Sequence, residues 1–295
     1  MPQLDLSIII ISYNTKDTTL NCLHSIANSV KNPSLTYEVL VVDNASTDGS
    51  QKQILNIKFK ISNLKIIKND SNVGFAKANN QAVNLAEGAH ILLLNSDTVV
   101  MDDAIENMYR FFVRNPHIHF LGPKLLNKDM TPQASSALFY TLPVVFAALF
   151  LKGDHWGLSR SSPHETIKTD WVSGACIMTR KEYFEKIGGF DENIFMYMDE
   201  VDLLYRAKMA GFNTYFYPQA RFIHLGSASS NGKTYPILQV YKGFLYFYRK
   251  HYPKMSLILL RIMLQLKAII ALIIGYTLRN EYLKKTYAEA LKLAR

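Results

Sequence analysis

The first hundred residues alternate between short apolar runs and segments with helical spacing. Runs rich in branched aliphatic side chains occupy residues 6–11, 37–42, 64–68 and 90–94. Residues 18–30 place apolar side chains three and four positions apart, and helices are also expected over 74–88 and 102–113. Continuous apolar runs of this length are typical of strands buried on both faces. The pattern predicts an α/β fold in which right-handed strand–helix–strand units build a mostly parallel sheet.

Polar side chains follow the predicted strands at their carboxyl ends. Ser12, Tyr13 and Asn14 follow the first run, and Asp43 and Asn44 follow the second. In an open parallel sheet these ends border the crevice that binds ligands. An acid placed directly after a buried strand, as Asp43 is, faces that crevice and can accept the N3–H of a pyrimidine base.

The loop after Asp43 consists of short polar side chains. Ser46, Thr47 and Asp48 either cap the next helix or bind a ligand, and we expect capping. The chain lacks both the GxGxxG pattern of dinucleotide-binding folds and the GxxxxGK[ST] pattern of phosphate-binding loops. Neither of these two nucleotide-binding classes is indicated.

The fourth run ends in Asn95, Ser96 and Asp97. Asn and Asp two positions apart on extended backbone point the same way, so both can reach one divalent cation that bridges a diphosphate. The alternative is that Asp97 only caps the following helix. Gly74, ahead of another predicted helix, permits close backbone approach at a helix N-terminus that favours phosphate.

An acidic cluster, Asp199, Glu200 and Asp202, follows an aromatic and Met-rich patch at residues 195–198. Acids at positions 1, 2 and 4 of a run cannot all share one face of a helix or strand, so at least one points into a cleft. Burial beside apolar walls brings a carboxyl group toward the pKa that a general base needs. Asp199–Glu200 is therefore the predicted chemical centre, while Asp202 and Arg206, four residues apart, are predicted to form a helical ion pair.

The net charge of +9 is confined to the end of the chain. Residues 241–295 contain eleven Lys and Arg against two Glu, whereas residues 1–240 contain 22 basic and 22 acidic residues. A neutral body with a basic, apolar tail favours an anionic membrane surface over nucleic acid, which needs basic residues along a groove. We expect no nucleic-acid partner.

Two observations favour a cytoplasmic location. Cys22 and Cys176 lie in apolar surroundings without any CxxC pattern, so neither a zinc site nor a disulfide framework is indicated. The first residues run directly into a strand-like segment and lack the basic and apolar regions of a signal peptide.

Two apolar segments lie outside the predicted sheet. Residues 138–151 are too short to span a bilayer; they either line an acceptor entrance, touch lipid or are buried under the C-terminal helices. Residues 255–278 contain Arg261, Gln265 and Lys267, which an interfacial amphipathic helix tolerates better than a spanning one. The alternatives for this helix are packing on the catalytic body or against a second subunit of a homo-oligomer.

Taken together, these motifs resemble family 2 glycosyltransferases of the GT-A fold, and within them the bacterial rhamnosyltransferase-like branch. The resemblance runs in the family's order over about residues 5–230, with motifs at 11–14, 41–50, 72–76, 94–97, 188–191, 199–202 with Arg206, and His224. It implies transfer of a sugar from a nucleoside diphosphate with inversion. It also implies a divalent cation, Mg²⁺ or Mn²⁺.

The resemblance assigns roles by position. Asp43 matches the acid that contacts the base, Asp97 the last acid of the metal-binding DxD, and His224 a histidine that reaches the metal or diphosphate. Trp171 and Gly174 fall where relatives bind the acceptor. The nucleotide-sugar residues implied are Ser12, Tyr13, Asn14, Asp43, Asn44, Asn72, Gly74, Phe75, Asn79, Asn95, Ser96 and Asp97.

The chain departs from the family's pattern at two places. Asn95 replaces the first acid of DxD, which leaves one charged metal ligand in that motif. The usual Glu–Asp pair is Asp199–Glu200 here, so either acid can be the base, and we favour Glu200.

The expected organisation is a GT-A domain over residues 1–240, with a nucleotide-sugar half to about residue 120 and an acceptor half beyond it, followed by a helical tail over 241–295. The resemblance implies a dTDP- or UDP-sugar donor, rhamnose being favoured, and a glycan or polyprenyl-linked acceptor in cell-surface polysaccharide synthesis. The enzyme would then lie on the inner face of the cell membrane. The alternative is a catalytically impaired nucleotide-sugar-binding or scaffold protein.

Overall fold

The computed structural model, which describes residues 4–56, 61, 63–226 and 234–295, falls into two units. The first comprises Met1–Leu138, Arg160–Phe195 and Glu200–Ser229. The second comprises Phe139–Ser159, Met196–Asp199 and Ser230–Arg295. The division at residue 240 that the sequence suggests stays a prediction.

In the described residues the strands are β1 (Leu4–Ser12), β2 (Tyr37–Asp43), β3 (Leu64–Lys68), β4 (Gly88–Asn95), β5 (Thr98–Val100), β6 (Phe120–Leu126), β7 (Pro132–Gln133), β8 (Ser136–Ala137), β9 (Arg160–Ser161), β10 (Ile167–Thr169), β11 (Trp171–Val172), β12 (Cys176–Arg180) and β13 (Thr214–His224). The helices are α1 (Lys16–Ser29), α2 (Ser50–Asn56), α3 (Phe75–Leu85), α4 (Ala104–Arg114), α5 (Leu142–Phe150), α6 (Lys181–Lys186), α7 (Asp199–Met209), α8 (Thr234–His251), α9 (Lys254–Thr277) and α10 (Glu281–Ala294). The predicted strands and helices of the first hundred residues are confirmed within a few residues at each end.

The main sheet has the order β10-β13-β6-β12-β4-β1-β2-β3, with β5 beside β13 and β7 beside β6. β3, β2, β1 and β4 run parallel, whereas β12 is antiparallel to both β4 and β6. The predicted α/β class with a mostly parallel sheet is confirmed, and antiparallel strands extend it beyond β4. A separate small sheet has the order β11-β8-β9.

The core of the first unit contains the apolar residues of the predicted strands. Ile8, Val41 and Leu92 are fully buried in the central strands, and helices α1 and α4 cover them with Leu23 and Ile105 among other side chains. Cys22 and Cys176 are free, buried thiols, and burial raises the pKa of Cys22 to about 12. These cysteines pack as small apolar side chains, as their surroundings in the sequence indicate.

The second unit consists of helices. Small residues on α9 permit close packing against α10: a Cβ on Gly275 would lie 3.0 Å from Leu283 Cβ and 3.1 Å from the Lys284 backbone nitrogen. The Asn280 side chain accepts a hydrogen bond from the Leu283 N–H and so caps α10. Helix α5 packs on α9, where Lys267 Nζ donates to the Leu149 carbonyl at 2.7 Å. Val145 and Ala147 of α5 are buried, so the alternative of burial among the C-terminal helices applies to these two residues.

Candidate active site

Three neighbouring strands bring predicted site residues to one edge of the main sheet. β1 lies between β2 and β4, and the register pairs Ser12 with Asp43 and Ile11 with Asn95. Since neighbouring strands lie about 4.8 Å apart, the strands that end in Asp43 and Asn95 are about 10 Å apart. The carboxyl ends of β1, β2 and β4 thus form one polar edge.

Asp43 ends β2 with its side chain fully buried. Its Oδ2 accepts a hydrogen bond from Gln51 Nε2, and its Oδ1 accepts one from the Ser46 N–H at 3.4 Å. The carboxylate is therefore oriented by the following loop and by α2. A base that binds Asp43 has to share or replace the Gln51 contact, a partner that the strand pattern did not indicate.

The loop at residues 44–50 ties the starts of α1 and α2 together. Asp48 Oδ2 accepts from the Lys16 N–H at 2.8 Å, and Oδ1 accepts from the Ser50 N–H at 3.0 Å. Burial alone would raise the pKa of Asp48, but these hydrogen bonds and that of the Ser50 hydroxyl outweigh it, and the pKa is lowered. The expected helix capping is confirmed for Asp48. Asn14 joins the same loop, because its Oδ1 accepts from the Thr47 N–H at 2.8 Å.

Asn44 holds the segment that precedes α3. Its Nδ2 donates to Asn72 Oδ1 at 2.8 Å, and its Oδ1 accepts from the Val73 N–H at 3.1 Å. Gly74 has φ +88°, and a Cβ there would lie 3.0 Å from the Phe195 ring. The Phe75 N–H donates to the Phe195 carbonyl at 3.3 Å. The close approach expected at Gly74 is thus made in this structure by Phe195, which also occupies one N–H at the start of α3.

Several predicted ligand residues are directed into the protein. Ser12 is fully buried, and its hydroxyl lies 3.0 Å from Thr19 Oγ1. Asn79 is 1% exposed and donates to the Phe75 carbonyl at 2.9 Å. Trp171 is 3% exposed, and its indole N–H donates to the Leu138 carbonyl at 2.8 Å. The ligand-binding roles of these three residues stay predictions.

Ser96 belongs to the same buried hydroxyl network as Ser12. The Ser96 hydroxyl lies 3.2 Å from Thr15 Oγ1, which in turn lies 3.3 Å from the Ser12 hydroxyl. The network joins the carboxyl ends of β1 and β4 beneath the polar edge. By contrast, Tyr13 and Asn14 are exposed at that edge.

Asn95, Asp97 and His224 converge at the carboxyl end of β4. His224, the last residue of β13, places Nε2 3.4 Å from Asp97 Oδ1 and 3.4 Å from Asn95 Nδ2. Strand β13 pairs with β5, and His224 lies opposite Thr98 in that register. The imidazole Nδ1 lies 2.7 Å from Gln133 Oε1. The structure therefore brings together the three residues predicted around a cation.

This donor set fits a divalent cation whose shell a ligand completes. Among the described residues no group of three or more His, Cys, Asp and Glu side chains converges. One carboxylate and one imidazole are suitable ligands for Mn²⁺ or Mg²⁺ when phosphate oxygens and water supply the rest. Asp97 and His224 would hold the ion, with the Asn95 amide beside it.

The Glu200 side chain packs on the loop at residues 173–175, which contacts the carboxyl end of β4. A Cβ placed on Gly174 would lie 3.3 Å from Glu200 Cβ, so the Glu200 side chain packs along the Ser173–Ala175 turn. The Ala175 carbonyl accepts from the Asn95 N–H at 2.9 Å. Gly174 thus separates the predicted base from the strand that carries Asn95 and leads to Asp97.

The predicted ion pair of α7 is confirmed and fixes this helix in the first unit. Arg206 Nε donates to Asp202 Oδ2 at 2.8 Å, and Asp202 is fully buried. The guanidinium also donates to the Gly189 carbonyl at 2.6 Å and to the Ile187 carbonyl. Arg206 therefore ties α7 to the turn at residues 187–189. The sequence spacing indicated the pair but not these carbonyl contacts.

The residues predicted to bind the base or the cation, or to act as the general base, thus occupy four places. Asn95, Asp97 and His224 meet at one point, and Glu200 lies beyond Gly174. Asp43 ends the strand two positions away in the same sheet. Asp199 is 5% exposed and belongs to the second unit.

A parallel sheet edge with Asp43 at the end of one strand, Asp97 just after the end of another and a further carboxylate nearby is typical of an α/β protein that binds ligands at the carboxyl ends of its strands. The family model described as Glycosyl transferase family 2 matches residues 7–188. The chain belongs to glycosyl transferase family 2 and is a glycosyltransferase, as the motifs of its sequence predict.

Known proteins similar to this chain agree with that assignment. It is 27% identical over 247 residues to the N-acetylglucosaminyl-diphospho-decaprenol L-rhamnosyltransferase of Mycobacterium tuberculosis, covering 77% of this chain and 78% of that protein. Two solved structures share the fold, each with a TM-score of 0.60. S. aureus TarS 1-349 in complex with UDP-GlcNAc is 18% identical, with 98% of this chain and 80% of that one covered. The mannosyltransferase PcManGT from Pyrobaculum calidifontis in complex with GDP-Man and Mn²⁺ is 16% identical, with 99% and 75% covered.

Proposed function

We propose that this glycosyltransferase moves a sugar from a nucleoside diphosphate to an acceptor hydroxyl, with inversion at the anomeric carbon, and that Glu200 is the general base. The observation that carries the proposal is the packing of Glu200 on Gly174, beside the Ala175 carbonyl that Asn95 bonds. A base has to reach the acceptor hydroxyl while that oxygen faces the bound donor. The packing of Glu200 on Gly174, next in the chain to the residue that bonds Asn95, supports this role.

Exposure favours Glu200 over Asp199 as the base. Asp199 is 5% exposed, whereas Glu200 is only partly buried and has one more methylene with which to reach a hydroxyl. The reaction is a single displacement. The acceptor proton passes to Glu200 as the acceptor oxygen attacks the anomeric carbon and the bond from that carbon to the diphosphate breaks.

In this proposal the donor is bound by Asp43, Asp97 and His224. Asp43, oriented by Gln51, accepts the N3–H of the base. Asp97 and His224 hold a divalent cation, Mg²⁺ or Mn²⁺, which when bound neutralises charge on the leaving diphosphate. The 3.4 Å separation of Asp97 Oδ1 and His224 Nε2 supports the cation site. The Mn²⁺ in the structure of the similar mannosyltransferase also supports the cation site.

The names of the relatives support the proposed donor and acceptor. An acid that accepts N3–H suits uracil or thymine, so we propose a UDP- or dTDP-sugar donor, with rhamnose favoured by the name of the mycobacterial relative. That name also supports a lipid-linked acceptor, a sugar on a polyprenyl diphosphate, in cell-surface polysaccharide synthesis. Such an acceptor lies at a membrane surface.

We further propose that α9 attaches the enzyme to the inner, anionic face of the cell membrane. By length and composition α9 could cross a membrane. However, one side of it packs on α8 and α10 through Leu260, Leu264 and Ala268. A helix with one side packed on other helices of the protein suits the interface better than the bilayer core.

The polar residues within α9 support this orientation. Gln265 Nε2 donates to the Ala294 carbonyl at 3.0 Å and Arg261 to the Arg295 carbonyl, so both meet the C-terminal end of α10. Lys267 meets the C-terminal end of α5. The positive charges of Arg261 and Lys267 also interact favourably with the negative, C-terminal ends of the helix dipoles. The outward side of α9 is left apolar, with Met255, Ile258, Leu259, Ile262, Leu266, Ile269, Ile270, Ile273 and Ile274 exposed.

A donor-panel assay tests the proposed activity. Labelled UDP- and dTDP-sugars are incubated with the full chain, with and without Mn²⁺, and release of the nucleoside diphosphate is measured with a lipid-linked acceptor present. We expect cation-dependent release from one donor class. Binding of the nucleotide without turnover of any donor would favour the impaired, nucleotide-sugar-binding alternative that Asn95 raises.

A further inference from the structure

A short hairpin outside the predicted motifs holds the His224 ring. Strand β7 pairs with β6, with Gln133 opposite Leu125. Gln133 Oε1 lies 2.7 Å from His224 Nδ1, and Gln133 Nε2 donates to the His224 backbone carbonyl at 3.3 Å. The same Nε2 donates to Asn127 Oδ1 at 3.0 Å. One amide therefore contacts both the ring and the main chain of His224.

These contacts determine which imidazole nitrogen carries the proton. A backbone carbonyl can only accept, so the Gln133 atom that faces the His224 carbonyl must be the NH₂ group. The atom that faces Nδ1 is then the amide oxygen, which also only accepts. Nδ1 must therefore be protonated, and in the neutral imidazole Nε2 carries the lone pair.

The lone pair on Nε2 is directed at the site that serves the donor. Asp97 Oδ1 lies 3.4 Å from Nε2, and both atoms are electron-pair donors when Nε2 is unprotonated. Only the Asn95 amide, 3.4 Å away, offers a hydrogen to Nε2 in this group. Two electron-pair donors held face to face suit a shared cation, and a histidine ligand ordinarily donates its second ring N–H to a neighbouring acceptor.

We propose that Gln133 is a positioning residue that fixes the Nδ1–H tautomer of His224 and so keeps Nε2 available to a divalent cation shared with Asp97. The proposal rests on the cation site of the proposed function. Without the Gln133 oxygen, Asp97 becomes the best acceptor near the ring. The proton then moves to Nε2, where it hydrogen-bonds to Asp97 and blocks the cation.

The test compares Gln133→Met with Gln133→Glu. Methionine keeps the length of the side chain but offers Nδ1–H only a weak acceptor, whereas glutamate keeps a strong one. Long-range ¹H–¹⁵N NMR of the metal-free protein, with His224→Asn to assign the signals, reads the tautomer. Electron paramagnetic resonance of added Mn²⁺ reads the affinity. We expect Nδ1–H in the wild type and Gln133→Glu, Nε2–H in Gln133→Met, and Mn²⁺ affinity about 10- to 100-fold weaker in Gln133→Met alone.

Thr131→Val is the control for a merely structural role. It removes a hydroxyl that accepts from Asn127 Nδ2 at 2.9 Å in the same hairpin but leaves Gln133 intact. We expect the wild-type tautomer and Mn²⁺ affinity. Gln133→Met with an unchanged tautomer, or with wild-type Mn²⁺ affinity, overturns the positioning role alone. Absence of Mn²⁺ binding by the wild type overturns the cation site and this role with it, while turnover in the donor-panel assay separately decides the transferase proposal.

Discussion

The two units use their polar residues in opposite ways. In the first unit, side chains such as Asp97, His224 and Glu200 gather around one sheet edge, while the apolar residues are buried in the sheet and its covering helices. In the second unit, Arg261, Gln265 and Lys267 donate hydrogen bonds to carbonyl groups at the C-terminal ends of helices. Many apolar residues of α9 are exposed.

The net charge also differs between the main part of the chain and its C-terminal part. Residues 1–240 are neutral by count, whereas residues 241–295 carry nine net positive charges. In the proposed function, catalysis depends on hydrogen-bonded positions at strand ends, whereas membrane attachment depends on an exposed apolar face and an excess of positive charge. Each can therefore be damaged without the other.

Among the variants that distinguish the two units, substitutions in α9 are expected to have the largest effect, on membrane binding. Ile262 and Ile273 are 54% and 58% exposed, and Ile262→Asn with Ile273→Asn removes two apolar side chains from the face proposed to enter the membrane. Binding to anionic vesicles, measured by co-sedimentation, should weaken about 10²- to 10⁴-fold, since each of the two side chains contributes about 1.5–3 kcal/mol when buried. Turnover of a soluble acceptor analogue should not change.

Leu55→Asn with Leu85→Asn is the matched control for this variant. These leucines are 50% and 56% exposed on helices of the first unit. Equal loss of vesicle binding in both double variants would contradict the assignment of attachment to α9. A preference for neutral over anionic vesicles would contradict the role of the basic residues.

A smaller effect is expected at Gly174. In Gly174→Ala the added methyl lies 3.3 Å from Glu200 Cβ, so the Glu200 side chain has to shift by a few tenths of an ångström. Misplacement of a catalytic group is costly, and we expect kcat to fall about tenfold with donor binding retained. Steady-state kinetics and nucleotide titration measure the two quantities.

A double-mutant cycle shows whether this loss acts through Glu200. If it does, Gly174→Ala should cost little in a Glu200→Gln background, because the displaced group is already lost. An undiminished loss in that background would mean that Gly174 acts on the acceptor directly, as its position in the family's motif implies.

The smallest effect concerns stability of the first unit. Burial alone would raise the pKa of Glu38, but hydrogen bonds from Ser7, the Glu87 N–H and Lys65 outweigh it and lower the pKa below 4.5. A lowered folded-state pKa stabilises the fold above the unfolded-state pKa, and this contribution is lost as pH falls through the folded value.

Glu38→Gln should therefore lower the free energy of unfolding by about 1–3 kcal/mol at pH 7. The difference from wild type should shrink as pH falls below about 4.5, the ordinary value for glutamate. Urea denaturation of both proteins at pH 7 and pH 4 measures this. A difference that is independent of pH would mean that Glu38 acts through packing rather than charge.

The sequence predicts most of the first half of the sheet and little of what supports the site. Buried parallel strands produce continuous apolar runs, so β1 to β4 and the polar residues that end them can be predicted from local pattern. Gln133 lies in a two-residue strand with no periodicity, and its role depends on a residue 91 positions away.

Burial of polar side chains was the least predictable feature. Ser12 and Asn79 occupy motif positions, but their exposure depends on partners that fold over them, such as Thr19 and the first turn of α3. Trp171 lies opposite Ala137 in the small sheet, a pairing that local pattern does not indicate, and its acceptor role stays a prediction. Local pattern determines where a strand ends but not which of its polar side chains face solvent.

The most direct test of the central claim compares Glu200→Gln with Asp199→Asn in the donor assay, with binding of the nucleoside diphosphate measured in parallel. If Glu200 is the base, kcat in Glu200→Gln should fall about 10²- to 10⁴-fold with nucleotide affinity unchanged, and Asp199→Asn should lose much less. Full turnover in Glu200→Gln, or the large loss in Asp199→Asn alone, would contradict the account.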